Sequence, residues 1–530
     1  MSANEVTAAN AAASSSPTRP SSGAVPKDAA AVVLVREAAG AGGGPEVFWA
    51  RRGAALSFQG GFHAFPGGQR DAADAAVAVG NCDDAERASM IACAARELFE
   101  ETGVLAARGA DSLTRGQLVS VLDDFTSGRM TFAVLLAHYG LSLDAANFQF
   151  VGRWVTPPFS PRRFDTWFFL AHCPRKQEPR LLTAEFDEGG WTTPRAALDR
   201  WLRSEVVAAP PVMHAVRELA AGMTDDLVER FLALPQARRE TVRRIEFTPG
   251  FVCFPLRTPT KPPATHTNCY LVGGGDFVVI DPGSPYEDEQ DALAACVEEF
   301  LSAGRALREI VLTHHHPDHV AGVEALRTRL GGRVTVAAHR LTAASLAGSV
   351  RVDRFVEDGD LIELDGDTPL GLRAMHTPGH TRGHLSFYEE RTETLITGDN
   401  IVGLGSVLID PPEGDVRDYL ASLERYRRLL PRVRVLYGGH GAAVANPAIK
   451  IEEYIAHRLE RESNILRAVG QGARTTSEIV ARVYTDVHPK MHALAERAVS
   501  AHLLKLEADG LIKRAGDEFH PAGETGESAS

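Results

Sequence analysis

The sequence predicts a multidomain chain of the α/β and α+β classes, and three observations lead there. Its 530 residues divide into roughly three or four domains at ~150 residues each. Apolar strands alternate with helical stretches, the pattern of mixed α/β architecture. Several of those strands end in loops rich in His, Asp and Gly, where side chains from different strands converge on one sheet edge.

Composition narrows the class. At 44% hydrophobic and 24% charged residues, the chain has ample material for several cores and is not fibrous or wholly disordered. A net charge of -13 makes it a poor general polyanion binder, so nucleic-acid contact must be local. No apolar run reaches the ~20 residues of a membrane span. Cys82, Cys93, Cys173, Cys253, Cys269 and Cys296 form no CxxC pair or disulfide framework, so a reduced, cytoplasmic setting is expected. Residues 1–28 are rich in Ala, Ser, Thr and Pro without an apolar core. They read as disordered rather than as a secretory signal, as does the tail over 516–530.

The first block, 29–235, opens with a strand through Ala31 to Val35, a glycine loop at Gly40 to Gly44, and a second strand through Val47 to Ala50. A charged connector follows over 236–246. The second block, 247–447, has predicted strands at Phe277–Ile280, Ile310–Leu312, Leu395–Thr397 and Val433–Tyr437. Ten of the nineteen histidines lie from Ile245 to Pro447. The third block, 448–515, has predicted helices over Ile451–Val469, Thr475–Val483 and Lys490–Asp509, the last stopped by Gly510.

The strongest chemical signal is Thr313-His314-His315-His316-Pro317-Asp318-His319. His314 and His316 are two apart at a strand end and point the same way. Pro317 breaks the strand, and Asp318 and His319 turn back towards the same point. So many ligand-type side chains are costly to bury unless a metal pairs them. Three later strand ends add Pro378-Gly379-His380, Gly398-Asp399 and Gly438-Gly439-His440. Five His and two Asp exceed the needs of one tetrahedral zinc. They suit two metals sharing one carboxylate and activating a water between them. Imidazole and carboxylate without Cys point to two Zn²⁺, with manganese or iron as alternatives.

These residues resemble the metallo-β-lactamase superfamily, whose HxHxDH motif matches His314, His316, Asp318 and His319, and whose later ligands match His380, Asp399 and His440. The resemblance implies an αβ/βα sandwich. One metal would sit on His314, His316 and His380, the other on Asp318, His319 and His440, with Asp399 bridging and Asp281 supporting the metal loop. His315 is expected to point away, His376 and His384 are candidates for orienting the ligands, and His266 and His339 read as structural. Thr267–Val272 and His376–His384 narrow the resemblance to the lactamase-β-like protein 2 family. That family carries a C-terminal winged-helix-like module, which Tyr454–Lys513 fits, and its members are described as single-strand endoribonucleases. Residues 450–515 hold 11 Lys and Arg against 9 Asp and Glu, so tight polyanion binding by the module alone is not expected.

The second chemical signal is Arg96-Glu97-Leu98-Phe99-Glu100-Glu101-Thr102-Gly103-Val104. Glu97, Glu100 and Glu101 share one helix face and repel one another unless a hard cation, Mg²⁺ or Mn²⁺, lies between them. The run resembles the second half of the Nudix box, with Phe65-Pro66-Gly67-Gly68 as its opening glycine turn. The resemblance implies a Nudix α/β/α sandwich over roughly 28–235 that cleaves a nucleoside diphosphate-linked substrate, with Glu97 catalytic. Gly68 and Arg96 are 28 apart where the usual box has 14, and its first glutamate, counted back from Arg96, would fall at Ala88. Such an insertion, with Pro161–Thr166, is similar to the coenzyme A diphosphatase branch. Glu185 and Glu188 are candidates for a further carboxylate.

The expected whole is a metallo-hydrolase, with Asp318 and Asp399 catalytic, fused to a Nudix hydrolase. Its substrate would be single-stranded RNA or a small molecule. The alternatives are a glyoxalase II-like thioester or ester hydrolase with a degenerate Nudix domain, and a non-enzymatic nucleic-acid-binding scaffold. Oligomeric state is not legible in the sequence.

Overall fold

The computed structural model describes residues 24–38, 44–56, 58–403, 405–485, 488 and 492–523. The loop expectation at Gly40–Gly43 and the helix start at Lys490 lie outside them.

The N-terminal domain is built on a seven-stranded sheet. Its spatial order is His63–Ala64, Pro45–Arg52, Lys27–Glu37, Phe164–His172 and Gln149–Val155, with Gly67–Gln69 and Phe186–Thr192 pairing onto it. Strand alternation sorts its core. Ala30, Val32 and Leu34 face the helix Ala85–Thr102, while Ala31, Val33 and Val35 face Ala197, Trp201 and Val212 of the helices Pro194–Leu202 and Pro210–Ala220. The sheet is therefore covered on both faces. The helix Ala85–Thr102 starts on the Asp84 side chain, which accepts from Arg87 N–H, and stops at Gly103 with φ 71°.

The disorder expected over 1–28 is corrected at its end. The first strand already begins at Lys27, where Lys27 and Asp28 pair with Phe164 and Asp165.

The second domain is a sandwich of a seven-stranded and a five-stranded sheet. The first sheet runs Ile245–Thr248, Phe251–Arg257, His266–Gly273, Asp276–Ile280, Ala306–Val311, Val336–Ala338 and Arg354–Phe355. The second runs Leu361–Leu364, Leu370–His376, Leu385–Glu389, Thr394–Gly398 and Val435–Gly438. Tyr270, Val272 and Ile280 of one sheet and Leu372, Phe387 and Tyr437 of the other belong to one buried apolar cluster. Outer faces are covered by the helices Glu287–Ser302 and Val416–Leu429.

That interior is continuous with the N-terminal domain. Trp201, Phe247, Phe251 and Tyr437 belong to one buried cluster, and Trp201 Nε1 donates to Phe247 O at 2.9 Å. Within the connector, Val242 and Ile245 are buried and Arg239 pairs with Asp165 at 2.9 Å. The two domains share a core rather than hanging from a free linker.

The C-terminal module consists of the helices Pro447–Gly470, Thr476–Val483 and His492–Ala508, with a hairpin of Ile512–Ala515 and Glu518–Pro521. The disordered tail expected from 516 is corrected over its described part. Gly516 at φ 64° and Asp517 make a tight two-residue turn, and the pairing that follows turns Phe519 into the module's core. The sequence pattern places a wing after the helix but misses its second strand, which is only four residues long and carries one apolar anchor.

Candidate metal centres

The strand Ala306–Val311 runs into an extended segment, and Pro317 opens a single helical turn, Pro317–Val320. His319 N–H donates to His316 O at 2.9 Å, which turns Asp318 and His319 back towards His314. His380, Asp399 and His440 each follow a strand of the second sheet, at the ends of Leu370–His376, Thr394–Gly398 and Val435–Gly438.

The structure brings all seven together. His314, His316 and His380 form one group and Asp318, His319 and His440 another, with ligand atoms within 4.8 Å of one another in each. His316 Nδ1 lies 3.0 Å from His314 Nε2 and 3.0 Å from His380 Nε2. Asp399 lies between the groups. Its carboxylate is 3.3 Å from His440 Nε2, 3.4 Å from His319 Nε2 and 3.7 Å from His380 Nε2.

The far ring atoms are tethered, which fixes which nitrogen faces the centre. His319 Nδ1 bonds Asp281 at 2.8 Å, His380 Nδ1 bonds Leu408 O at 2.9 Å and His440 Nδ1 bonds His266 O at 2.8 Å. His314 Nδ1 lies 3.0 Å from Thr313 Oγ1. Asp281 also accepts from Thr313 N–H and Oγ1, so it braces the loop as expected.

Electrostatics favours a cation there. His314 is held well below the ordinary imidazole range by burial and by its neighbours His319 and His316. Burial pushes the Asp399 carboxyl up, but His440 and His319 outweigh it and hold the group well below the carboxylate range. His319 Nε2 and Asp399 Oδ1 are buried with no hydrogen-bond partner, and both face the shared centre. A nitrogen-rich, sulfur-free donor set with orphaned buried ligand atoms fits a pair of divalent metal ions.

The remaining histidines sort cleanly. His384 is buried and accepts from Asp399 N–H at 3.2 Å, so it holds the backbone that carries the Asp399 carboxylate. His376 bonds Arg382 O and stacks on His339 at 4.2 Å. His315 turns to Glu413 at 2.8 Å. Sequence reading missed two groups, Glu413 and Lys261. Neither has a motif, and only the folded loops bring them near the centre.

Gly439 shows how tightly the centre is built. A Cβ there would overlap Asp399 Oδ1 and stand 2.8 Å from His319 Cε1. Gly439→Ala is expected to lower metal content and turnover by about 10- to 100-fold, the loss seen when outer contacts to ligands are disturbed. Wild-type metal content and turnover in the variant would contradict the geometry.

In the N-terminal domain, the helix Ala85–Thr102 carries Glu97, Glu100 and Glu101 up to the glycine turn. Gly67 N–H donates to Glu101 Oε2 at 2.8 Å. A Cβ on Gly68 would lie 2.6 Å from the Glu97 carboxylate, so a larger residue there would push that carboxylate off the turn. Glu100 is the more exposed of the three. Burial raises the Glu97 carboxyl to about 7, against the pull of Arg96. Glu101 is pushed well above its usual range, by burial and then by Glu97. One buried and one half-buried carboxylate at such cost fit a hard divalent cation.

The first acidic position of the box is not missing. Counted forward from Gly68 at the usual spacing, rather than back from Arg96, it falls at Asp74. That carboxylate is 1% exposed and pairs with Arg96 at 2.7 and 3.0 Å. The insertion lies after Asp74, where the short helix Ala72–Ala76, the strand Val79–Gly80 and the first turns of the long helix take it up. Asp74→Ala leaves the Arg96 guanidinium half-compensated and is expected to cost about 3 kcal/mol. The denaturation midpoint reads it, and an unchanged midpoint would contradict the pairing. Glu188 pairs outward with Arg51, whereas Glu185 faces Arg52 and lines a cavity beside the glycine turn.

Fold and sites define a metallo-hydrolase of the metallo-β-lactamase class with a Nudix hydrolase domain ahead of it and a winged helix behind. Comparison with known proteins agrees. Residues 262–440 match the metallo-β-lactamase superfamily, 475–520 the β-lactamase associated winged helix domain, and 83–219 the NUDT19 Nudix domain. The β-lactamase-like protein 2 homolog of Caenorhabditis elegans is 30% identical over 47% of this chain and 80% of its own. That of Drosophila melanogaster is 31% identical over 48% and 87%. An atrochrysone carboxyl ACP thioesterase of Aspergillus novofumigatus is 27% identical over 57% and 92%. The chain belongs to the β-lactamase-like protein 2 family, with a Nudix domain in addition.

Proposed function

We propose that the metallo-β-lactamase domain cleaves phosphodiester bonds of single-stranded RNA at a dinuclear zinc centre, with manganese or iron as the alternative metals. The observation that carries this reading is the pair of three-ligand groups facing one carboxylate. When bound, two such cations supply an acidified water and polarise the scissile group. The chain's own residues orient that chemistry. Asp399 spans the two groups, Asp281 and the Leu408 and His266 carbonyls fix the rings, and Asp318, 3.6 Å from His440 Nε2, is placed to take up a proton.

An anionic substrate suits the surroundings. Lys261 is lowered by burial and by Arg497 of the C-terminal module, while Asp318 and Asp399 pull it back up. One lysine thus lies within the field of both the site carboxylates and a second cation. A second reading, thioester hydrolysis, is favoured by likeness to the fungal ACP thioesterase over most of that protein's length. Incubating the full chain with single-stranded RNA oligomers and with a thioester panel tests the choice. RNA cleavage is expected, and thioester turnover without RNA cleavage would replace it by the second reading.

For the N-terminal domain we propose cleavage of a nucleoside diphosphate-linked substrate with Mg²⁺ or Mn²⁺ on Glu97, Glu100 and Glu101. Glu97, whose carboxylate lies against the Gly68 backbone of the glycine turn, is taken as the catalytic carboxylate. A cytoplasmic setting is proposed on the six free cysteines. Among the described residues no helix is long and apolar enough to cross a membrane.

A further inference from the structure

The N-terminal glycine turn opens onto a cavity of about 880 Å³, towards the upper end of the range for ligand sites. Its floor is Gly67, Gly68 and Gln69, directly above Glu97 and Glu101. One wall is the N-terminal domain's own: Trp154, Phe159 and Phe168 with Arg52, Arg162 and Glu185. The facing wall comes from elsewhere in the chain, from Ala442 to Asn446 and from Ile449 and Lys450.

That second wall is anchored. Asn446 Nδ2 donates to Ala54 O at 2.6 Å, across the domain boundary. Val444 and Leu436 exchange backbone hydrogen bonds of 2.9 Å. The segment begins two residues after the metal ligand His440, so the same loop serves the centre at one end and lines this cavity at the other.

We propose that the metallo-β-lactamase domain completes the substrate site of the N-terminal domain: residues 442–450 bound the pocket that receives the second arm of the diphosphate substrate. The inference rests on the diphosphatase reading above. The chemistry of the lining specifies the arm. Alanine, proline and aromatic surfaces dominate the walls, so the arm is long and mainly uncharged. Three cations sit at separate points, one of them Arg52, which lies 3.6 Å from Glu185. Arg162 makes no ion pair among the described residues and is exposed, and Lys450 is held at 2.6 Å by Glu453. A diphosphate over the glycine turn with an apolar arm along Ala443 and Ile449 satisfies both.

The test uses the full chain with Mg²⁺ and two probes, a nucleoside diphosphate methyl ester, which has almost no second arm, and a nucleoside diphosphate ester of a long-chain alcohol. Ala443→Trp fills the pocket from the far wall. Ile449→Asp places a charge there, and Ile449 is 42% exposed, so the fold tolerates it. Each variant is expected to lower kcat/KM for the long-arm probe about tenfold, the equivalent of ~1.4 kcal/mol, and to leave the short probe within about twofold of wild type. Equal losses on both probes, or no loss on the long-arm probe, would overturn the proposal. Calorimetric binding of the long-arm probe separates this from the diphosphatase reading. Binding by wild type that both variants weaken, without cleavage, sinks only the reaction; failure of wild type to bind sinks the pocket.

Discussion

Asp399→Ala is expected to empty both candidate metal positions of the metallo-β-lactamase domain and to abolish its turnover. Among the described residues, its carboxylate is the group that lies within 3.7 Å of a ring nitrogen from each ligand set. Removing it leaves His319 and His440 without their counter-charge and the two cations without a common ligand. The loss exceeds the about 10- to 100-fold expected when only an outer partner of a ligand is removed. Elemental analysis is expected to give about two transition-metal ions per wild-type chain and none firmly held in the variant. One tightly bound ion at full activity would contradict the shared-carboxylate account.

The second large effect is in the other domain. Glu100→Gln with Glu101→Gln is expected to abolish diphosphate cleavage while the helix Ala85–Thr102 persists, because glutamine keeps helix propensity and removes only charge. Glu101 in particular is buried and held by Gly67 N–H, so the amide retains contact while losing affinity for a hard cation. Burial makes Glu101→Gln stabilising or neutral for the fold, since a carboxyl pushed well above its usual range no longer has to be ionised. Loss of cleavage together with loss of fold would contradict this assignment.

The seven candidate ligands were legible because they fall at strand ends, four in the run around Pro317 and three directly after Gly379, Gly398 and Gly439, a local signature. The grouping implied by the resemblance is the one the structure shows, but the inward ring atoms were not legible, since Nε2 of His380 and His440 faces the centre through tethers to the Leu408 and His266 carbonyls far along the chain. His384 was visible as a candidate but its role was not, because the bond from Asp399 N–H joins residues 15 apart across a turn. Asp74 was overlooked because the spacing was counted back from Arg96, across an insertion. The wing's second strand and the shared core escaped for one reason: each depends on an apolar side chain, Phe519 or Trp201, whose partner lies in a distant element. The charged run Arg238–Arg244 looks like a linker by composition, yet Arg239 and Arg243 are spent on Asp165 and Glu289.

The central claim is that one packed body holds two chemically separate centres, imidazole-rich in one domain and carboxylate-only in the other. The direct measurement runs both variants, in the full chain, through both assays: a nucleoside diphosphate-linked substrate, and an RNA or thioester. Asp399→Ala is expected to keep diphosphate cleavage and lose the other activity, and the Glu100 and Glu101 double variant to do the reverse. A chelator that strips zinc in the presence of millimolar Mg²⁺ should mimic the first variant. If Asp399→Ala abolishes diphosphate cleavage in a folded protein, the two centres form one composite site and the account is wrong.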